Sequence, residues 1–485
     1  MSSPLAIIAL LGRLVVLFAL LMLVPLAATA FDDLRALRAF AWALAFTLLC
    51  GAAMVFLTRG HLGELRPRDG FVLVGAIWTL LPAFAAVPLL LAMPGMRITD
   101  AYFEAMSGFT ATGATVLVGL DALPLAVNVW RCLLNLVGGL GIVVLAVAVL
   151  PMLGVGGSQL FRTEITGPMK DQKLTPRISD TARGLWAIYF LASAACVLAY
   201  RWAGMGWADA FMHMCSTMSL GGFSSHDASM GYFNSPRIEM VAVVFMLLAG
   251  VNFALYFLAW KRRSLAVLWR DAELRTYVLV LLGSVVLITG YLLASEPDAE
   301  FVRTLRRTLF HVVSVATTTG YAAHDYALWP TFVPFLMLLL GCFATCAGST
   351  GGGVKMLRVL LLLKQSQREL VRIVHPNVVN PVVLGGVTVP PRVMHSVIAF
   401  MMLYGMTIVT LTMVMLFSGL DVVTAFTAVV ACLNNIGPGL GDVGPAVNYA
   451  GLNDFQTWVL SFTMPLGRLE LLSLLVLLTP QFWRR

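Results

Sequence analysis

Thr110-Ala111-Thr112-Gly113-Ala114 is the stretch that decides the fold of this chain, because such a polar, glycine-centred break in hydrophobic sequence occurs four times. The other copies read Ser219-Leu220-Gly221-Gly222-Phe223, Thr318-Thr319-Gly320-Tyr321 and Asn434-Asn435-Ile436-Gly437-Pro438. Their central glycines, at 113, 222, 320 and 437, lie 109, 98 and 117 residues apart. Backbone that leaves the helix at membrane depth must be buried by protein or lined by water. Four such glycine segments at near-constant spacing predict a ring of carbonyl-bearing loops around one axis.

The composition is that of a membrane protein. Of the 485 residues, 59% are hydrophobic and only 12% are charged, about half the charged share of a soluble domain. The mean hydropathy is +0.88. The net charge of +8 is explained by the excess of Lys and Arg in cytoplasmic loops of membrane proteins. No basic run is interleaved with aromatic residues, so we expect no nucleic-acid partner.

Ten hydrophobic runs are long enough to cross a bilayer. They cover about 5–28, 38–57, 70–93, 128–153, 185–203, 237–260, 276–295, 331–362, 394–417 and 456–481. The first is interpreted as a retained span rather than a cleaved signal peptide, because its apolar stretch is too long for the latter. Between the third and fourth spans, and in each later pair, a shorter apolar stretch of about 12 residues ends at a glycine segment. Twelve residues are too few to cross, so we predict re-entrant half-helices.

The predicted fold is therefore an all-α polytopic membrane protein with two leading transmembrane helices and four repeats around a central pore. Each repeat consists of a transmembrane helix, a re-entrant half-helix, a filter (the glycine segment) and a second transmembrane helix. The predicted units are 1–69 for the leading helices, 70–153 for the first repeat, 154–260 for the second with its preceding cytoplasmic loop, 261–365 for the third with a broken second helix, and 366–485 for the fourth.

Charge sets the expected orientation. Ten crossings put both termini on one side, and with the N-terminus inside, the cytoplasmic loops hold 21 of the 32 Lys and Arg residues. The opposite side holds nine. We therefore expect cytoplasmic termini and outward-facing glycine segments.

The half-helices should begin thirteen residues before the central glycines, at Asp100, Asp209, Arg307 and Thr424. Asp and Thr are good N-caps. The first two copies begin most alike, as Asp-Ala-aromatic, so we expect clean caps there and weaker ones in the third and fourth copies.

The chemistry of the glycine segments suits a dehydrated monovalent cation. Rings of backbone carbonyls replace the water of such an ion without holding it too long, and glycine adopts the left-handed dihedrals that aim successive carbonyls at one axis. The segment at Gly320, Thr-Thr-Gly-Tyr, is the closest to a potassium-channel signature. Half-helices that end at the segments also direct their negative dipole ends toward the ion.

Three motifs carry a resemblance to a known family. They are Phe103-Glu104-Ala105-Met106-Ser107-Gly108-Phe109-Thr110-Ala111-Thr112-Gly113-Ala114-Thr115, Leu150-Pro151-Met152-Leu153-Gly154-Val155-Gly156-Gly157 and Ala347-Gly348-Ser349-Thr350-Gly351-Gly352-Gly353-Val354-Lys355. The chain resembles the Trk/Ktr/HKT superfamily of potassium transporters over its whole length, and within it the bacterial TrkH-type subunits. The resemblance implies that K⁺ is bound by the backbone carbonyls of Ala111, Thr112, Gly113, Leu220, Gly221, Gly222, Thr318, Thr319, Gly320, Asn435, Ile436 and Gly437.

Acidic residues follow three of the four segments. Asp227, Asp325 and Asp442 each stand five residues after a central glycine. They form either an acidic collar that concentrates cations at the outer mouth or turns in which each carboxylate bonds its own backbone, and the two interpretations are compatible.

The eighth span contains a second kind of break, Gly348, Ser349, Thr350, Gly351, Gly352 and Gly353, followed by Lys355. Consecutive glycines disfavour helix by about 1 kcal/mol each, so the segment must line a wet cavity or pack against protein. We interpret it as a movable gate below the filter, which the family resemblance also implies. Close helix packing through small residues is the alternative.

One arginine lies within the last span. Charge at that depth is costly and mostly functional, so Arg468 is predicted to face the pore as a barrier to cations, and the resemblance implies a similarly placed arginine. The alternative is a structural ion pair with Glu104 or Glu470.

The family resemblance also implies a homodimer that sits on a cytosolic, nucleotide-binding, TrkA-like regulatory ring in the bacterial inner membrane. Basic loop residues suit anionic lipid head groups or a docked partner. The expected function is potassium uptake, and a sodium-permeable or a sodium- or proton-coupled member of the superfamily is the alternative. The sequence does not supply the nucleophile–base pair that an intramembrane enzyme would need. An inverted-repeat transporter would show two halves rather than four quarters.

Overall fold

The computed structural model describes residues 4–31, 34–59, 67–144, 178–295, 298–469 and 471–484. It is 75% helical with almost no strands, which confirms the all-α prediction. The one sheet among the described residues is a two-stranded antiparallel ribbon of β1 (Val383–Leu384) and β2 (Val387–Thr388).

The first half of the chain contains α1 (Pro4–Leu21), α2 (Leu23–Ala28), α3 (Leu34–Leu57), α4 (Pro67–Ala92), α5 (Ile98–Phe109), α6 (Leu125–Val144), α7 (Ile178–Ala203), α8 (Trp207–Ser219), α9 (Pro236–Ala249) and α10 (Phe253–Arg262). The second half contains α11 (Ala266–Arg270), α12 (Ala272–Ser295), α13 (Phe301–Ala316), α14 (Phe332–Gly341), α15 (Met356–Val374), α16 (Pro391–Phe417), α17 (Val422–Leu433), α18 (Asp454–Arg468), α19 (Leu471–Leu475) and α20 (Pro480–Trp483). Short 3₁₀ turns lie at Thr29–Phe31, Leu120–Ala122, Ser229–Phe233, Tyr326–Leu328, Gly441–Val443, Tyr449–Gly451 and Val476–Leu478.

Several helices are long and apolar enough to cross a bilayer, so the chain is a multi-pass membrane protein. Six such runs are Pro4–Ala28, Leu34–Leu57, Arg68–Ala92, Arg183–Ala203, Ala272–Ser295 and Pro391–Phe417. Two bent helix pairs are also long and apolar enough when each is taken together: α9 and α10 meet at 83°, and α18 and the helical stretch Leu471–Leu478 at 115°. The predicted span over 128–153 corresponds to α6 up to Val144, and its remainder lies outside the described residues.

Besides the bent pair within the predicted span 456–481, two predicted spans are not continuous helices. The sequence predicted one span over 237–260, but the structure breaks it between Ala249 and Phe253. The predicted span over 331–362 ends as a helix at Gly341 and resumes at Met356. These two breaks pack against each other, as described below.

Three of the half-helices, α5, α8 and α17, are 12, 13 and 12 residues long, close to the predicted 12, whereas α13 is longer at 16 residues. The predicted N-caps are wrong. The cap positions are Arg97, Gly206, Glu300 and Asp421, and Asp421 alone among these four accepts backbone bonds with its side chain, from the amides of Val423 and Thr424. The fourth copy, expected to be weakly capped, therefore has the clean cap. The apparent alignment failed because Asp100 and Asp209 lie within the first turn, where a carboxylate stabilises the helix dipole without capping.

The half-helices occupy the centre and the spanning helices surround them. Phe103 and Phe310, on the first and third half-helices, are almost fully buried, whereas α16 presents Met402, Met406 and Phe417 to the surroundings. The breaks and glycine segments are thus enclosed by protein, which is the condition for non-helical backbone at membrane depth.

Candidate permeation site

Each half-helix ends in the same C-terminal motif. The residue two before the central glycine donates its amide to the carbonyl three residues back, and the next residue donates to the carbonyl five residues back. In the first copy these bonds are Ala111 to Gly108 at 3.0 Å and Thr112 to Ser107 at 2.8 Å. This pair of bonds defines a Schellman cap. The bond that reaches five residues back is 2.8 Å in all four copies, so each glycine segment begins at a fixed geometry relative to its half-helix.

A hydroxyl or amide side chain strengthens each cap. The residue three before the central glycine donates to the carbonyl four residues back, over 2.7–2.8 Å, in every copy: Thr110, Ser219, Thr317 and Asn434. This accounts for the polar residue that opens each segment in the sequence.

In all four segments the sign of the backbone angle φ alternates from residue to residue. The residues two before the central glycines have positive φ, at 50°, 55°, 63° and 54° for Ala111, Leu220, Thr318 and Asn435. The central glycines are also positive, at 69–94°, whereas the residue between has negative φ in every copy. Because the sign of φ alternates, successive peptide planes are turned so that neighbouring carbonyls point the same way. In a β-strand they point to opposite sides.

The residues at 111, 220, 318 and 435 would normally be glycine, because a left-handed conformation costs other residues about 1–2 kcal/mol. The surrounding structure must supply that energy. Strained backbone that recurs in four copies is the kind of feature that marks a functional site.

The four segments close into a ring. A Cβ atom added to Gly113 would lie 2.4 Å from the carbonyl oxygen of Gly221, and one added to Gly222 would lie 1.9 Å from that of Thr319. A Cβ added to Gly320 would lie 1.9 Å from the carbonyl oxygen of Ile436, and one added to Gly437 would lie 2.8 Å from that of Thr112. Each central glycine thus faces the preceding position of the next copy, and the fourth returns to the first.

All four central glycines line one cavity, which we call the vestibule. Around it lie Phe223, Asp227 and Pro438, together with the guanidinium-bearing Arg131. These ring contacts involve eight of the twelve predicted potassium ligands: Thr112, Gly113, Gly221, Gly222, Thr319, Gly320, Ile436 and Gly437. The other four directly precede them in the chain.

The three predicted collar residues differ in their environments. Asp227 lines the vestibule and accepts bonds from the amides of Gly119 and Leu120 at 3.1 Å, so it joins the outer loops of the first two copies. Asp325 caps a short turn through the amide of Ala327 at 2.9 Å. Asp442 is exposed. The turn interpretation thus describes the contacts of Asp325, while Asp227 makes a contact between copies.

The first copy also contributes a carboxylate to this loop cluster. Asp121 contacts His226 Nδ1 and accepts from the amide of Asp227. Partial burial opposes its ionisation, but the hydrogen bonds from His226 and Asp227 outweigh that effect and hold the pKa of the Asp121 carboxyl below its usual value.

The break in the eighth span forms a buried loop at residues 342–355, which we call the glycine-rich loop. Its backbone pairs with the break between α9 and α10. The amide of Cys346 donates to the carbonyl of Gly250 at 3.0 Å, and the amide of Phe253 donates to the carbonyl of Gly348 at 3.1 Å. Two interrupted helices thus satisfy each other's backbone groups, which is how both breaks are tolerated away from water.

The loop lies directly against the glycine segments. The amide of Gly352 donates to Thr318 Oγ1 at 3.0 Å, and Thr350 Oγ1 donates to the carbonyl of Met218 at 3.0 Å. A Cβ on Gly352 would be 2.1 Å from the carbonyl oxygen of Asn434. The loop therefore contacts the second, third and fourth copies at once.

The loop is also held at its C-terminal end. Lys355 adopts a positive φ of 76° and its Nζ donates to the carbonyl of Gly351. Glu273 on α12 accepts from the amides of Ala347 and Leu357 at 2.7 and 3.2 Å. The sequence analysis missed Glu273, whose position near a predicted cytoplasmic loop carried no signal of this contact.

Arg468 contacts the same loop. Its Nη1 donates to the carbonyl of Thr350 at 2.7 Å, and the side chain is 3% exposed. Its Nε and Nη2 have no hydrogen-bond partner within the described part of the chain. The alternative of a pair with Glu104 is wrong, because Glu104 bonds Arg131 at 2.7 Å. The other suggested partner, Glu470, lies outside the described residues.

The copies are unequal in one respect that bears on ion binding. The carbonyl of Gly437 accepts a hydrogen bond from the hydroxyl of Tyr449 at 2.7 Å. In addition, Asn435 Nδ2 donates to Thr112 Oγ1 at 2.9 Å and so joins the fourth copy to the first. The fourth segment is thus tied down by side chains, and one of its carbonyls has a competing donor.

A multi-pass helical protein with a closed ring of four carbonyl-bearing segments has the features expected of the class of cation transport proteins. Comparison with known proteins narrows this class. The family model TrkH, described as a cation transport protein, matches residues 36–485. The chain therefore belongs to the TrkH family, which is a family of cation transport proteins and not of enzymes.

Individual relatives agree over nearly the full length. "Trk system potassium uptake protein TrkH" of Salmonella typhimurium is 46% identical over 481 residues, covering 99% of both chains. The protein of the same name from Escherichia coli strain K12 is 45% identical with the same coverage. The crystal structure of the potassium transporter TrkH from Vibrio parahaemolyticus matches with a TM-score of 0.91 at 41% identity, over 99% of this chain and 100% of that one.

Proposed function

We propose that this protein takes up potassium across the bacterial inner membrane through a pore at the axis of the four glycine segments. The observation that carries the proposal is the closed ring, in which every central glycine faces a carbonyl of the next copy. Family membership and the names of the relatives support potassium as the transported ion. In this proposal the four repeats are quarters of one pore, with the boundaries given above.

The selectivity filter consists of the carbonyls of the twelve predicted ligands, three from each copy. The alternating sign of φ supports this assignment, because it directs neighbouring carbonyls to one side. A ring of neutral oxygens at fixed spacing replaces the hydration shell of K⁺. The Schellman caps supply the rigidity that such a ring requires.

The glycine-rich loop is the gate. Its contacts with the second, third and fourth copies close the path below the filter, and Arg468 holds it there through the carbonyl of Thr350. Arg468 in addition places a positive charge next to the path, which raises a barrier to cations. Opening requires the loop to leave these contacts.

The orientation follows from the charge asymmetry of the loops, with both termini cytoplasmic and the vestibule outside. The outer Asp227, Asp325 and Asp442 attract cations to the mouth. Asp227 is the strongest candidate because its side chain lines the vestibule.

Partners follow from the family. The relatives are named as proteins of a Trk system, a name that implies further components. We propose a homodimer on a TrkA-like cytosolic ring that binds nucleotide, and contacts between lipid head groups and basic segments such as Lys261-Arg262-Arg263.

Sodium permeation is the competing function. It is favoured by the inequality of the copies, since the Tyr449 hydroxyl competes with an ion for the carbonyl of Gly437. A ring with one weakened ligand discriminates less between ions of different size.

Flux measurements on purified protein in liposomes test both functions. Uptake of K⁺, Rb⁺, Na⁺ and Li⁺ is measured with and without an imposed proton gradient. The proposal expects K⁺ and Rb⁺ to exceed Na⁺ and Li⁺, and equal rates for Na⁺ and K⁺ would refute the potassium filter. Dependence of K⁺ uptake on the proton or sodium gradient distinguishes a symporter from a channel.

A further inference from the structure

In each copy a side chain of the half-helix is hydrogen-bonded to the residues that follow the central glycine. Nine residues before the central glycines stand Glu104, His213 and His311, and in the fourth copy Ala428. The first three side chains are fully buried. All three reach the post-filter segments, which we define as the four residues after each central glycine: 114–117, 223–226, 321–324 and 438–441.

In the first copy the holder is a carboxylate. Glu104 Oε2 accepts from the amide of Val116 at 3.0 Å, and the hydroxyl of Thr115 donates to Glu104 at 3.0 Å. Arg131 on α6 donates from Nε to Glu104 Oε1 at 2.7 Å and from Nη2 to Thr115 Oγ1 at 3.2 Å. The ion pair is 1% and 0% exposed.

Arg131 continues to the second copy. Its Nη1 donates to the carbonyl of Ser224 at 3.1 Å, and its guanidinium lies 4.5 Å over the ring of Phe223. Both residues belong to the second post-filter segment. One ion pair therefore fixes the spacing between two adjacent copies of the ring.

In the second copy the holder is a histidine. His213 Nδ1 lies 2.9 Å from the carbonyl of Asp209, which can only accept, so Nδ1 carries the proton. Its Nε2 is hydrogen-bonded to the hydroxyl of Ser224 at 3.0 Å.

The third copy has the same arrangement. His311 Nδ1 donates to the carbonyl of Arg307 at 2.8 Å, and Nε2 accepts from the amides of Ala323 and His324 at 3.3 and 3.2 Å. His311 Nε2 also lies 3.1 Å from the carbonyl of His324, so both donors and an acceptor of the post-filter segment face it.

The fourth copy uses the neighbouring residue. Ala428 has no polar group, and Thr427 Oγ1 instead accepts from the amide of Leu440 at 2.9 Å. Three kinds of side chain, a carboxylate, an imidazole in two copies and a hydroxyl, thus meet one requirement, a side-chain bond from the half-helix to the post-filter segment.

We infer that Glu104, His213, His311 and Thr427 are positioning residues that set the radius of the ring, and that the Glu104–Arg131 pair with Thr115 determines the preference for K⁺ over Na⁺. The inference rests on the proposed filter. Within the described residues this pair is the one holder that is charged and that bonds two post-filter segments. Discrimination between the ions depends on how far the carbonyls can close on the smaller one, and a fixed spacing behind them limits that movement.

The test separates positioning from folding with single and double variants. Glu104→Gln and Arg131→Gln each leave a buried charge unpaired, which destabilises. The double variant removes both charges. We expect the singles to lower the midpoint of thermal unfolding and the double variant to recover most of it. The Rb⁺/Na⁺ flux ratio should fall about tenfold in all three, because the ligands are displaced by less than the roughly 1 Å that costs about 100-fold in a preorganised site.

A second pair of variants keeps the test valid if the single charge variants do not fold. Thr115→Val removes the hydroxyl that joins Glu104 and Arg131 without changing charge or shape, and should also lower the ratio. Thr115→Ser retains the hydroxyl and should restore it. The matched control is Glu239→Gln, which breaks the Glu239–Arg306 pair at 3.3 Å between α9 and α13 and leaves the post-filter bonds in place.

The outcomes distinguish this inference from the proposed function. A wild-type protein without K⁺ preference would refute the function and the inference together. A selective wild type with unchanged ratios in Glu104→Gln and Thr115→Val refutes the inference alone. Recovery of the ratio together with stability in the double variant also refutes it, because the pair would then serve folding only.

Discussion

The glycine segments and the glycine-rich loop are both non-helical backbone inside a helical protein, yet they are held in different ways. Each glycine segment is bonded to its own half-helix by a Schellman cap and is flanked by the next copy. The loop has one copy and bonds mainly to other parts of the chain: the break after Ala249, Glu273 and Arg468. Local, repeated bonds make a site rigid, whereas bonds to distant partners can be released together.

Substitution of a central glycine tests the fixed geometry of the glycine segments most directly. In Gly222→Ala the new Cβ would lie 1.9 Å from the carbonyl of Thr319 at a φ of 69°. The displaced carbonyl should reduce K⁺ uptake about 100-fold, as misplacement by about 1 Å does in preorganised sites. Rb⁺ uptake into proteoliposomes measures the loss. Gly283→Ala, whose Cβ would meet nothing within 4 Å, is the control and should behave as wild type.

Deletion of residues 348–353 should have the next largest effect, in the opposite direction. If the loop closes the path, removing it raises basal cation flux by about 10- to 1,000-fold, since a minor open state is typically populated at about 0.1–10%. Flux in the absence of any partner protein measures this. Unchanged flux would mean that the glycines serve only close packing.

Arg468→Ala tests the single bond that joins the loop to α18. A hydrogen bond from a charged group contributes about 1.5 kcal/mol, so its loss should raise flux about tenfold. Single-channel recording separates the two roles of Arg468: loss of the barrier raises unitary conductance, and loss of the Thr350 contact raises open probability. Lys364→Ala, on the exposed face of α15, should change neither, and wild-type values of both in Arg468→Ala would contradict both roles.

The smallest effect is expected at the outer mouth. Asp227→Asn retains an acceptor for the amides of Gly119 and Leu120 but removes the charge, so the K⁺ concentration for half-maximal uptake should rise about two- to threefold at low ionic strength. The difference should vanish near 1 M salt, where the screening length is about 3 Å. An equal shift at both salt concentrations would show a structural role instead. Asp298→Asn, on an exposed outer loop, is the control.

Much of the fold was predictable because hydrophobic length and repeat spacing are properties of the sequence itself. The four central glycines were found from their spacing. The adjacent left-handed positions were not, since Ala111, Leu220, Thr318 and Asn435 have no side-chain property in common. Their conformation comes from the cap and from neighbouring copies, which a single segment does not reveal.

The supporting residues were missed for a related reason. Glu104 and His311 occupy the same repeat position but differ in charge and shape, so an alignment by residue type does not connect them. The repeated distance of nine residues before the glycine was the available signal. In the sequence, Gly250 and Asn252 were the only weak indications of the break after Ala249. The break is caused by pairing with the glycine-rich loop, which is a long-range contact.

The pairing of the two helix breaks has a consequence for the energetics of opening. If the loop is the gate, opening deprives the carbonyls of Ala249 and Gly250 and the amide of Phe253 of their partners, at a cost of about 1–3 kcal/mol for each group that stays dry. Water must therefore enter the break as the loop departs. Opening should accordingly be a hydration reaction, opposed by osmolytes that are excluded from the protein surface.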